Sequence, residues 1–133
     1  MGFTVEQHPE LPLLIFTFTP PFDPDGDPRG VMCEIAHVLV NYSGILYTIH
    51  DASGITLSPM EVMHSVAATF MAHTPAGLDR TRIRPLLVGN DEGVHQWAEI
   101  ASRQQGGARQ WLVFASVEEA LAAVQHDVAT NAD

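Results

Sequence analysis

The 133-residue sequence contains no lysine, one cysteine and no apolar run long enough to cross a bilayer. Its basic side chains are six arginines against 16 carboxylates, a formal charge of −10 with the histidines neutral. Each shortage excludes something. A P-loop needs a lysine to reach the phosphates, and a receiver domain uses one beside its phospho-aspartate. Nucleic acid and anionic membrane bind through basic side chains that neutralise phosphate, so neither is an expected partner. A lone thiol, Cys33, cannot close an internal disulfide, which fits a reducing cytosol. The opening residues, Met1-Gly2-Phe3-Thr4-Val5-Glu6, lack the basic start of a signal peptide, and the expected location is the cytoplasm.

What is present suits a globular fold. With 46% apolar and 17% charged residues, the chain is not intrinsically disordered as a whole. A chain of this length can bury about two thirds of its unfolded surface, so residues 1–133 are read as one α/β domain, with 129–133 expected to fray.

Phe3-Thr4-Val5-Glu6-Gln7 alternates, and Leu13 to Phe18 is rich in strand formers, so an antiparallel pair is predicted. Pro20 to Pro28 holds four prolines and a glycine and reads as a loop. Apolar residues at 31, 35, 38 and 39 then mark a helix, stopped near Ser43-Gly44. Strands follow at Ile45–Ile49, Pro85–Val88 and Gln110–Phe114. Helices are predicted over Pro59–His73, about 92–103 and Val117 to about Thr130, with a break at Gly106-Gly107. The order β-β-α-β-α-β-α-β-α implies a mixed sheet of about five strands covered by about four helices.

The stretch from His50 to Pro59 leaves a buried strand and opens a helix, where open α/β sheets place ligands. Ser58-Pro59-Met60-Glu61 has the makings of a capping box, and Asp51 and Ser53 look first like turn-formers. Asp51, Ser53, Ser58, Glu61 and, across the strand ends, Asn90 are the candidate binding residues, with Ser58 a candidate phosphorylation site. No catalytic set, metal or cofactor is expected. His8, His37, His50, His64, His73, His95 and His126 are scattered without H-x-x-x-H spacing, and no G-x-S-x-G elbow presents a serine. Asp23, Asp25, Asp27 and Glu34 match a calcium-loop spacing, but Pro28 stands where that loop needs glycine. Cys33 reads as inert core, Trp97 and Trp111 as core or boundary, and Arg80, Arg82 and Arg84 as partners for the chain's own carboxylates. Met60, Met63 and Met71 fall with Ala67 and Phe70 on one helical stripe, read as core, or else as a homodimer face alongside the N-terminal hairpin.

From about residue 3 to 128 the chain resembles the STAS family, the anti-sigma-factor-antagonist-like domains. Leu86-Leu87-Val88-Gly89-Asn90 and Val113-Phe114-Ala115-Ser116-Val117-Glu118-Glu119-Ala120-Leu121 are similar to that family's last two strands and closing helix. Ile49 to Thr56 resembles the strand and turn before its phosphorylation loop. Where those antagonists carry Asp-Ser-Ser/Thr-Gly, this chain diverges to Leu57-Ser58-Pro59-Met60-Glu61. The resemblance implies a non-catalytic regulatory module that binds another protein around Asp51–Glu61. The alternative is a small-molecule-binding domain or minor enzyme, with its pocket between the Asp51 loop and Asn90-Asp91-Glu92.

Overall fold

Strand alternation at the start of the chain produces β1 (Phe3–Gln7) and β2 (Leu13–Phe18), paired antiparallel with Phe3 opposite Phe18 and Gln7 opposite Leu14. The structure, a computed structural model, describes residues 2–71, 75–104 and 110–131. Only Phe3 of β1 is buried, as suits an edge strand with polar side chains facing water. Helix α1 (Gly26–Val40) leads to β3 (Leu46–Asp51), and α2 (Pro59–Phe70) and a single 3-10 turn, Arg80–Arg82, lead to β4 (Ile83–Val88). Then come α3 (Glu92–Arg103), β5 (Leu112–Phe114) and α4 (Val117–Thr130). The sheet order is β1-β2-β3-β4-β5, with every pair after the first parallel. This is the five-stranded mixed α/β sheet with four helices that the sequence predicts.

Alternation along the inner strands divides the core in two. Leu14, Phe16 and Phe18 of β2 and Leu46 of β3 meet α1, α2 and α3, through Val31, Ile35, Val62, Val66, Val94 and Trp97. Leu13, Tyr47, Ile49, Leu86 and Val88 point the other way, to Ala120 and Val124 of α4. Phe16, with 0% exposure, contributes about 2–3 kcal/mol by burial alone. On the α4 side Tyr47 donates to the Asp127 carboxylate, and desolvation together with that carboxylate pushes the phenol up to about 12.

Several boundaries and faces differ from the expectations. Helix α1 starts inside the proline-rich segment, because Pro28 sits in the first turn, where its missing N–H breaks no helical bond. Cys33 is exposed, since it lies about 200° around the helix from the buried Val31. Strand β3 runs through His50 and Asp51, which the sequence reading placed in the following loop. Met60, Met63 and Met71 are exposed; the buried face of α2 is Val62, Ser65, Val66, Ala68 and Thr69. Its polar members fit because Ser65 Oγ donates to Glu61 O at 2.7 Å and Thr69 Oγ1 to Ser65 O at 2.8 Å. His73, the Gly106-Gly107 break and residues 132–133 of the tail lie outside the described residues, whereas Ala129 and Thr130 are helical.

Candidate functional site

The connection from β3 to α2 is built almost wholly from its own polar groups. Asp51 Oδ1 accepts from Ser53 N at 3.0 Å and Ser53 Oγ at 2.6 Å, closing the first turn. Ala52 N donates to Val88 O at 2.9 Å, and Ile55, buried, anchors the middle. At the far end the capping box forms: Glu61 N donates to Ser58 Oγ at 3.2 Å, and Ser58 N to Glu61 Oε1 at 2.9 Å. Pro59 takes the first helical position, where no amide is needed.

A third residue straps this loop to α3. Asp91, the N-cap of that helix, accepts through Oδ2 from Leu57 N and Gly93 N, both at 3.1 Å. Glycine at 93 is required by close approach, since a Cβ there would collide with the Leu57 carbonyl. The sequence places Asp91, beside Asn90, at a helix start, where its charge complements the dipole. Its position before a helix was the available signal, but its reach to Leu57, 34 residues away in the chain, has none.

The structure thus joins Asp51 to Ser53 and Ser58 to Glu61. It leaves Asn90 exposed, with no hydrogen bond to either pair among the described residues. Ser53, Thr56, Ser58, Pro59 and Met60 are exposed along the loop, and the outer face of α2 continues with Met63, His64 and Met71. At 69%, 59% and 78% exposure the three methionines make an apolar stripe on the surface, against the expectation that they are core. The spacing 60, 63/64, 67, 71 is helical, but periodicity alone does not say which apolar stripe faces inward.

Behind the same helix lies a second feature. His50 and Ala52 line a cleft of about 50 Å³ under α1, α2 and α3, together with Met32, Ser65, Thr69, Trp97 and Trp111. Asp51, between His50 and Ala52, and Asn90 are not on its wall. A pocket therefore exists at these strand ends, one side-chain position away from the sequence expectation and on the opposite face of the sheet. Burial drives the His50 pKa down to about 3, so the imidazole is neutral. Its ring stacks on Phe16 at 5.5 Å and tilts against Trp111 at 5.1 Å.

The positive cluster also departs from expectation. Arg80 donates to Thr69 O at 2.6 Å and lies over the Phe70 ring, Arg82 donates to the carbonyls of Gly44 and Tyr42, and Arg84 to those of Thr81 and Ile83. Among the described residues none of the three forms an ion pair; the pairs are Arg29–Asp25 and Arg103–Glu99. Backbone carbonyls take their donors, and the neighbouring Asp79 carboxylate instead accepts from Thr81 N and Thr81 Oγ1. The aspartates of the calcium-like spacing are likewise engaged. Asp23 accepts from Asp25 N, and Asp27, buried, accepts from Gly2 N and Asp23 N. Among the described residues no three His, Cys, Asp or Glu side chains gather as a metal site would require, and no helix is long and apolar enough to cross a membrane.

Compared with known proteins, the chain matches no family model, and no curated protein or solved structure resembles it significantly.

Proposed function

We propose that this protein is a non-catalytic, STAS-like regulatory module of the cytoplasm that binds another protein through the Asp51–Glu61 loop and the outer face of α2. The observation that carries the reading is the exposed stripe of Met60, Met63 and Met71, continuous with the capped helix start. Methionines adapt to the shape of a partner, and covering one fully is worth roughly 1.5–3 kcal/mol. The loop beside them already satisfies its polar groups internally, so little ordering cost opposes docking. The carboxylates of Asp51, Glu61 and Glu92 lie around the loop in a chain of charge −10. The partner is accordingly a protein with an apolar face rimmed by Lys and Arg, which such a field also steers into contact.

Resemblance to the STAS family over the strand, turn and closing helix supports a regulatory role. Ser58 is the hydroxyl at which phosphorylation would act. A phosphate there would set about two negative charges against Glu61 and break the capping box, altering the start of the docking helix.

The test is affinity purification from the native cell, comparing wild type with Met60→Glu/Met63→Glu. A partner retained by the wild type and lost from the double variant, with the fold intact by circular dichroism, supports the reading. Identical recovery by both proteins, or recovery of only the chain itself, contradicts it.

A further inference from the structure

On the side of the sheet that carries α4, strand β5 begins at Leu112, opposite Leu86. It therefore stops short of the row in which Tyr47 of β3 stands beside Arg84 of β4. The notch left beside the C-terminal half of α4 has a volume of about 260 Å³, above the roughly 150 Å³ that accommodates benzene. Part of its wall is apolar. Leu86 and Val124 are buried there, whereas Leu112 stays 52% exposed and offers an aliphatic surface to whatever enters.

Two opposite charges share the same wall. Arg84 spends Nη1 on the Thr81 and Ile83 carbonyls, at 3.1 and 3.3 Å, which leaves Nε and Nη2 without a partner among the described residues. Those two nitrogens form the edge of a guanidinium that takes a carboxylate by parallel bonds. Asp127 accepts the Tyr47 hydroxyl through Oδ2 and Asn131 Nδ2 through Oδ1 at 3.1 Å, and each oxygen has a second lone pair. Burial and the bond to Asp127 push the Tyr47 phenol up to about 12, so it stays a neutral donor. Arg84 opposes that rise, which sets its charge within electrostatic reach of the hydroxyl. Yet Arg84 and Asp127 do not pair with each other; the ion pairs among the described residues lie elsewhere.

A simple anion in this notch would face Asp127, and a simple cation would face Arg84. An uncharged molecule would leave both charges without a counterpart. A zwitterion answers both. We propose that the pocket binds a small amino acid with an aliphatic side chain: its carboxylate lies on the free edge of Arg84, its ammonium on Asp127, and its side chain against Leu86 and Leu112. No residue of α2 lines this pocket, so the inference and partner binding through α2 can fail separately.

The experiment titrates the full chain with L-leucine, with leucinamide, which lacks the carboxylate, and with N-acetylleucine, which lacks the ammonium. Amide NMR follows Leu86, Leu112 and Val124. The expected result is saturable binding of leucine, with each analogue at least about tenfold weaker, since each loses one charge-assisted contact. Arg84→Gln should bring leucine down to the affinity of leucinamide. Asp127→Asn, which can still accept from Tyr47, should bring it down to that of N-acetylleucine. If either variant does not fold, the comparison of the three probes on the wild type decides. No saturable shift at these amides, an analogue that binds as tightly as leucine, or folded variants that bind leucine like the wild type overturns the proposal.

Discussion

Thr48 Oγ1 and His50 Nε2 lie 2.8 Å apart on the same side of β3, both fully inside the protein, with 0% and 4% exposure. The two alternate positions put a polar pair where a parallel strand ordinarily presents aliphatic side chains. The threonine satisfies one nitrogen of a base that burial keeps uncharged.

That burial fixes a pH dependence. His50 has an ordinary value of 6.5 and is held near 3 in the fold. Above pH 6.5 neither state carries the proton. Between 6.5 and 3 only the unfolded chain takes it up, so stability falls with acidity by up to about 1.4 kcal/mol per pH unit from this residue. In urea denaturation, His50→Leu should lose roughly 2 kcal/mol less than wild type between about pH 7 and pH 5. Equal losses would mean that His50 is protonated in the native state.

The capping box gives a second expectation. Ser58→Ala removes the acceptor for Glu61 N and should cost about 1 kcal/mol, a fall of roughly 3–5 °C in Tm for a chain of this size. Ser58→Asp retains an acceptor and should recover part of the loss in thermal unfolding.

Asp91 ties together two elements and should matter more than an ordinary helix cap. Asp91→Ala deprives both Leu57 N and Gly93 N of their acceptor, with an expected loss of about 2–3 kcal/mol. Gly93→Ala should be comparably harmful through collision with the Leu57 carbonyl. Both should raise amide exchange at Leu57, while β3 at the sheet centre keeps its protection.

The two faces of α2 should respond in opposite ways to substitution. Met60→Glu and Met63→Glu, on the exposed side, should change stability by less than about 0.5 kcal/mol. Val62→Ala, at 2% exposure, should cost about 2 kcal/mol. Chemical denaturation of the three variants checks the assignment of faces.

Where hydrophobic period and tertiary packing agree, the elements are readable from sequence. Helix α3 is the clearest case: Val94, Trp97, Ala98 and Ala101 fall at helical spacing on one stripe, and all four are buried. In α2 the two disagree. Ser65 and Thr69 hide their polarity in carbonyls one turn back, while the more hydrophobic methionines stay outside. The capping box at Ser58 and the turn at Asp51 are local and follow from residue type. The Asp91 strap and the cavity wall join residues far apart in the chain, and His50 was assigned to a loop because β3 was ended two residues early. Neither follows from local spacing.

A photoreactive amino acid placed at Met63, and separately at Gln125 on the exposed side of α4, tests the proposed docking face most directly when each protein is irradiated in its native cell. The expected result is a defined adduct with one other protein from position 63, absent at 125 and abolished by adding Met60→Glu. An equal adduct at both positions, an adduct only with a second copy of the chain, or none at position 63 would contradict partner binding through α2.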